Sequence, residues 1–481
     1  MYGWEVVGRG LMRLVLVARA RWARTPRERR VPLALGAFAL VTAVVLVPYG
    51  GWLAAGLLLA AALVAGRRAD SAARASAAAA DARLTLLYEA LVPYFSVPAD
   101  PSPEPLYTPG GGWERCFPAY EFGGDGRLAR LRLVYPAFFP DGDPEARARV
   151  ERVLAGKAGR DREVRFRWAE ERNELETVVL QPLPSGIGAQ RFVTGPGEIV
   201  LGFTDEWAVD RTVPVHGGVD YGERLDAAPV VWRTGPRAAE PHLLVVSAPG
   251  AGASSLLRSV ALQALEQGDE VLLVDGAGGG EFACFAGRSG VVGVESTANG
   301  AVTALEWAMR ETERRLLAAG RTERSLWLVV DRPALIGHLA RVRGAGDPLA
   351  LLEVPLRYGR AGRVTVVVGE QAESVERLGP LVPGCARARV VLGTVNGAQA
   401  GAVLGVAAPG RAAPPMAPGR GLARLGAGPV YRLQVPATPD PYDEAADESA
   451  RRAVLALLPE RRGAAYGPSP AVEGPPAAGG I

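Results

Sequence analysis

The reading of this chain turns on His242-Leu243-Leu244-Val245-Val246, followed directly by Ser247-Ala248-Pro249-Gly250-Ala251-Gly252-Ala253-Ser254-Ser255. Five apolar or buried-type residues in a row predict a strand covered on both faces. The small residues after it predict a tight loop, and Leu256, Leu257, Val260 and Leu265 then recur at helical spacing up to Gly268. Strand, small-residue loop and helix N-terminus form the arrangement in which backbone N–H groups cradle phosphates. The pattern continues as alternating strand and helix. A strand over Val271–Val274 ends at Asp275, and a helix over 299–319 carries Leu305, Met309 and Leu316 on one face, with Glu306/Arg310 and Glu311/Arg315 pairs outside. Further strands over Leu326–Val330 and Val364–Val368 end near Asp331 and Gln371. Such alternation predicts an α/β domain with a mostly parallel sheet and its functional groups at the strands' C-terminal ends.

Working outward, the chain has 481 residues, room for roughly three domains at about 150 residues each. With 48% apolar and 22% charged residues it has a globular composition, and 60 Gly with 39 Pro require loop-rich joints. The net charge of +3 argues neither for nor against a nucleic-acid or membrane surface. Cys116, Cys284 and Cys385 form no C-x-x-C pair, and His216, His242 and His338 have no ligand spacing, which excludes a disulfide framework or a zinc site. Lys157 is the only lysine, a fact that bears on the loop below.

Residues 31–66 carry no charge and break at Pro48-Tyr49-Gly50-Gly51 into two apolar pieces, which predicts two transmembrane helices. Arginines dominate both flanks, so both termini are expected in the cytoplasm, with residues 1–30 as a basic segment. An Ala/Arg/Leu helix over 67–92 and a Pro/Gly linker over 93–112 follow. Residues 113–235 read as a small α/β domain, with a helix starting at Asp143-Pro144 and strands around Val164–Trp168 and Leu175–Leu180. Residues 236–437 hold the domain built on the quoted stretch. Residues 438–481 offer a short helix near 443–458 and a Pro/Gly/Ala tail of disordered composition, with no space for a winged-helix DNA reader.

Several separated motifs within roughly 241–436 resemble the motor domain of the FtsK/SpoIIIE DNA translocases, including TraB-like transfer proteins. They are Pro241–Val245 before the loop, Leu273-Val274-Asp275 with Gly280-Glu281-Phe282, Leu356–Gly362 with Val366–Gln371, and the closing strands around Gly419–Arg424 and Tyr431–Val435. The resemblance implies a RecA-like P-loop NTPase-type domain, ATP and Mg²⁺ as cofactors, double-stranded DNA as a partner, and a homo-oligomeric or mixed ring. A septal or transfer-machinery protein would be a further partner. Carried over position by position, it implies nucleotide contacts from Ser247, Gly250, Gly252, Ala253, Ser254 and Ser255. Ser254 and Asp331 would hold Mg²⁺. Asp331, Gln371 and Arg360 are the catalytic candidates, with Arg357 beside Arg360 as a trans-acting arginine or a solvated helix end.

The departures from the motifs concern charge. The loop pattern G-x-x-x-x-G-K-[ST] has Ser247 for its first glycine and Ala253 for its lysine, leaving Arg258, one turn along, as the local cation. Arg332 follows Asp331 where an acid would polarise the attacking water, and an arginine cannot act as that base. Ala277 replaces a basic residue after Asp275, which with Glu281 reads as a turn residue. Three functions fit this pattern. The first is a membrane-anchored pseudo-ATPase, a scaffold or ring subunit for DNA segregation or conjugative transfer with impaired or absent hydrolysis. The second is an active ATP-dependent DNA translocase, and the third a component of a type VII-like secretion ATPase.

Overall fold

A computed structural model of the chain describes residues 12, 19, 75–96, 104–159, 162–217, 222–318, 324–344, 346–406, 411–412 and 418–462. The expected transmembrane hairpin at 31–66 lies outside these residues. Among the described residues no helix is long and apolar enough to cross a membrane. The chain divides into two compact units.

The first unit contains a helix over 75–95 (α1), strands β1 (Ala119–Phe122) and β2 (Leu128–Val134), and helix α2 (Pro144–Ala158). Along the chain β3 (Val164–Ala169) and β4 (Glu174–Val179) follow, and β2 pairs antiparallel with both β1 and β4. Asp143 accepts the Glu145 N–H at the start of α2, as its side chain predicts, and Ala146, Val150 and Leu154 form the buried face. Helix α1 continues past Pro93 to Phe95 instead of stopping at Val92. The reason is packing. Phe95 is 1% exposed and sits 4.8 Å from the ring of Tyr107 and 4.9 Å from that of Phe139, contacts that outweigh one lost helical bond. Tyr107, within the expected linker, is itself a core residue whose hydroxyl donates to the Val134 carbonyl.

The second unit is organised by one eleven-stranded sheet. Its strands are β5 (Glu198–Thr204), β6 (Val213–Gly217), β7 (Glu223–Arg233), β8 (Leu243–Ser247), β9 (Glu270–Asp275), β10 (Val291–Glu295), β11 (Leu326–Asp331), β12 (Val364–Gln371) and β13 (Ala388–Leu392). A two-residue β14 (Arg411–Ala412) pairs with Val164 and Arg165, and β15 (Arg420–Leu425) and β16 (Val430–Gln434) complete the sheet. The order is β10-β9-β11-β12-β8-β13-β15-β16-β5-β7-β6. The first six strands are mutually parallel, as the alternating pattern predicts, whereas β15 onward pair antiparallel.

Helix α3 (Ala253–Glu266) covers one face of the parallel strands, with Leu256, Leu257, Val260 and Leu265 packed on Leu243, Val245, Leu273, Val329 and Val367. Helix α4 (Ala298–Leu317) covers the other, with Ala301, Ala304, Leu305 and Ala308 on Leu272, Val274, Leu328 and Val330. Two-sided cover is why these strands are apolar without alternation. The Glu311–Arg315 pair expected outside is drawn inward: the Arg315 side chain is 5% exposed, bonding Glu311, Glu270 and the Arg324 carbonyl. Helices α5 (Pro333–Val342), α6 (Glu353–Tyr358), α7 (Gly397–Leu404) and α8 (Glu448–Leu457), with a five-residue helical turn over Leu381–Cys385, also belong to the unit.

Two polar devices tie α3 and the antiparallel strands in place. Gln263, 6% exposed, donates to the Val200 carbonyl at 2.9 Å and accepts the Val200 N–H at 2.8 Å, supplying the pairing that β5 loses at its bulge. Gln267 repeats the arrangement with the Gly197 N–H and the Glu198 carbonyl. On β16, Arg432 contacts Glu163 at 2.8 Å and Asp205 at 2.6 Å, all three side chains being largely buried.

Candidate nucleotide site

At the C-terminal end of β8 the chain leaves the sheet through Ala248–Gly252 and enters α3 at Ala253. The loop is anchored by backbone bonds: Ala248 N–H donates to the Leu392 carbonyl and Gly419 N–H to the Ala251 carbonyl. Gly252 needs to be glycine. Its φ is +99°, and a Cβ there would stand 3.0 Å from the Gly419 nitrogen. Gly252 gives α3 no side-chain cap, so the N–H groups of Ala253, Ser254 and Ser255 have no acceptor within the helix. These donors and the helix dipole face a cavity of about 570 Å³.

That cavity is lined by every nucleotide-contact residue expected from sequence, Ser247, Gly250, Gly252, Ala253, Ser254 and Ser255, together with Asp331 and Gln371. Parallel register brings them together: Gln371 pairs with Ser247 across β12 and β8, and Asp331 lies opposite Gly369 across β11 and β12. Gly369 makes room for the carboxyl, since a Cβ there would come within 2.9 Å of Asp331 Oδ1. Arg360 is not in the cavity; it is exposed and donates to the Ala238 carbonyl, and Arg357 pairs with Glu353. Asp275 is a turn residue, as its position suggested, its carboxylate accepting the N–H groups of Ala277, Gly278, Gly280 and Glu281.

The charges distinguish the site. Arg258 does not reach the loop: it is 5% exposed, with Nε on the Thr438 carbonyl at 2.9 Å and Nη1 on Glu281 at 2.8 Å. Asp331 is also 5% exposed, and its carboxyl makes no hydrogen bond with the described residues. Burial pushes its pKa from 3.8 up to about 7; Arg332 opposes the rise, and Asp275, Glu281 and Glu370 add to it.

Glu370 stands outside the residues singled out from sequence, although its place one residue before Gln371 at a strand's C-terminal end was a usable signal. It is 3% exposed and lines the cavity, accepting the Ala334 and Gln371 N–H groups, each at 2.9 Å. Burial raises its pKa, against the pull of those two N–H bonds. Asp440 and Asp443 join from the segment after β16, and sequence spacing gave no hint of their approach.

No protein-family model matches the sequence, and no curated protein is significantly similar to it. Among solved structures, the cytoplasmic domain of the Thermomonospora curvata type VII secretion ATPase EccC is 19% identical with a TM-score of 0.41, over 58% of this chain and 34% of that one. EssC (ATPases 2 and 3) from Geobacillus thermodenitrificans is 12% identical with a TM-score of 0.42, over 58% and 52%. The pCW3 conjugation coupling protein TcpA, a monomer with ATPγS, is 16% identical with a TM-score of 0.41, over 79% and 99%. The chain thus spans about a third of the EccC cytoplasmic domain and about half of the EssC segment holding ATPases 2 and 3. These neighbours are FtsK/SpoIIIE-like P-loop ATPases.

The residues present fit a phosphate chain with a divalent cation. Free helix N–H groups suit the phosphates, and the Ser254 hydroxyl and the Asp331 carboxyl are hard oxygen donors. Among the described residues no group of three or more His, Cys, Asp or Glu could hold a metal alone, so the remaining oxygens would come from the ligand and water.

Proposed function

We propose that this chain is an FtsK/SpoIIIE-like P-loop protein that binds a nucleoside triphosphate with Mg²⁺ and hydrolyses it poorly or not at all. It would act as a membrane-anchored ring subunit in DNA segregation or conjugative transfer. The observation that carries this reading is the cavity at the head of α3. Its glycines, free N–H groups and Asp331 are in place, while Ala253 occupies the position of the phosphate-binding lysine. Phosphoryl transfer relies on positioned cations and an oriented water. Here Arg332 stands where the water-polarising acid would be, which favours binding over turnover. The charge-free run at 31–66 supports the anchor, and the exposed Arg357 and Arg360, away from the chain's own cavity, suit contact with a neighbouring subunit.

Nucleotide binding and ATP hydrolysis by the purified full chain, with and without double-stranded DNA, test the reading. Binding without turnover is expected. Turnover stimulated by DNA would make the chain an active translocase, and absence of any nucleotide binding would leave the loop as a structural turn.

A further inference from the structure

The loop carries no lysine, yet one guanidinium at the cavity wall is held by no hydrogen bond or ion pair with the described residues, its charge acting on Asp331 and Glu370 without direct contact. Arg258 and Arg332 are its two lining arginines among the described residues. Arg258 is held inside the fold by Glu281 and the Thr438 carbonyl. The Arg332 side chain makes neither hydrogen bond nor ion pair with the described residues, and the residue is half-buried at the cavity wall. Its backbone is unusual: φ 52° and ψ 53° place a non-glycine residue in the left-handed region, immediately after the strand that carries Asp331. The surroundings impose that conformation. Arg332 N–H donates to the Gly369 carbonyl at 2.8 Å, and its own carbonyl accepts the Leu335 N–H at 3.0 Å. Gly276 packs so closely that a Cβ would stand 2.6 Å from the Asp331 carbonyl oxygen and 2.7 Å from that of Arg332. A strained, over-determined turn beside a cavity is where function concentrates.

The other charged residues of the lining are all acidic. Glu281, Asp331, Glu370, Asp440 and Asp443 line the space, and Asp331 is a buried carboxyl with no hydrogen-bond partner among the described residues. A triphosphate would meet repulsion there unless positive charge came with it or stood ready. A divalent cation bound to the phosphates supplies part of that charge, and a guanidinium, with five donors in a planar fork, suits phosphate oxygens better than a point charge does.

We propose that Arg332 takes the place of the missing loop lysine, its guanidinium holding the phosphates of a nucleoside triphosphate seated on the Gly250–Ser255 loop. This rests on the nucleotide reading above. The position that consensus reserves for a catalytic acid thereby serves binding, so recovery of affinity and loss of hydrolysis have one structural origin.

The test is the affinity of the full chain for a fluorescent ATP analogue with Mg²⁺. It compares the wild type, Arg332→Asn, Arg332→Lys, Ala253→Lys and the double variant Ala253→Lys/Arg332→Asn, with unfolding of each nucleotide-free protein. Asparagine tolerates the left-handed backbone, so Arg332→Asn removes the charge and spares the turn. We expect Arg332→Asn to weaken binding about tenfold to a hundredfold, the loss of a charged hydrogen-bond partner, while still unfolding cooperatively, with any loss of stability confined to the pH range in which Asp331 and Glu370 are ionised. Arg332→Lys should retain most of the affinity, and lysine at 253 should restore it in the Arg332→Asn background. Equal affinity of Arg332→Asn and wild type would overturn the role of Arg332 and leave the nucleotide reading intact. If Ala253→Lys binds and the wild type does not, the cradle is sound but Arg332 fails as its cation. If neither binds, the nucleotide reading itself fails.

Discussion

Replacing Asp331 by asparagine should stabilise the nucleotide-free protein, and only at the higher end of the pH range. Asp331 is buried at the end of β11, its carboxyl makes no hydrogen bond with the described residues, and its pKa is pushed from 3.8 up to about 7. In the unfolded chain the carboxyl loses its proton near pH 4, whereas the folded protein keeps it until about pH 7. The unfolded state is therefore favoured progressively as pH rises through this interval. The penalty is absent below pH 3.8 and complete above about pH 7. At 1.36 kcal/mol per pH unit it reaches about 4 kcal/mol. Asparagine has nearly the same shape and no charge to desolvate. Chemical denaturation at pH 5 and pH 8 should show Asp331→Asn gaining about 3 kcal/mol more relative to wild type at pH 8 than at pH 5, most of that penalty. With Mg²⁺ and nucleotide bound the order should reverse, because the charged carboxylate then has a cation to meet. The same difference between variant and wild type at both pH values would refute the claim that the cost of this residue is the burial of its charge.

Other substitutions test the frame around the cavity. Gly369→Ala would place a Cβ 2.7 Å from Leu257 Cδ1 and 2.9 Å from Asp331 Oδ1, and should cost about 1–3 kcal/mol in denaturant unfolding through overpacking. Gln263→Leu keeps the volume but strips the Val200 N–H and carbonyl of their partners; a loss of about 2–4 kcal/mol is expected, and faster amide exchange at Val200 would locate it. Arg432→Met removes the guanidinium that contacts both Glu163 and Asp205 and should cost about 3–5 kcal/mol at pH 8. That deficit should shrink towards pH 5, because burial already raises the Asp205 pKa and protonation relieves the charge left behind.

The parallel half of the sheet was legible because its determinants are local. Leu243–Val246, Val271–Val274, Leu326–Val330 and Val364–Val368 are apolar without alternation, and that pattern demands cover on both faces whatever the partners are. The loop was legible for the same reason, since Gly250 and Gly252 supply positive φ and open the approach to α3. Sequence also placed Ser247, Asp331 and Gln371 at strand ends, and parallel register then obliges such residues to gather at one edge. The end of α1 was misread because Pro93 is a local stop signal, while Phe95 is held by rings from distant parts of the chain.

What the sequence by itself determined, then, was the apolar strands and covering helices around the loop between 243 and 371, the position of the loop, and the absence of lysine from it; that β5 to β7, expected in a separate small domain over 113–235, join the same sheet was decided by pairing between distant segments. Only the tertiary structure decided which charges face the cavity. Arg258, one helical turn beyond the loop, was the obvious substitute by spacing, yet the fold brings Glu281 and Thr438 to it and removes it from play. Glu370, Asp440 and Asp443 reach the cavity from β12 and from the segment after β16, more than a hundred residues along the chain from the loop. Backbone preference and hydrophobic periodicity act within a few residues. Electrostatic environment is a sum over neighbours in space, and it exists only once the sheet has been assembled.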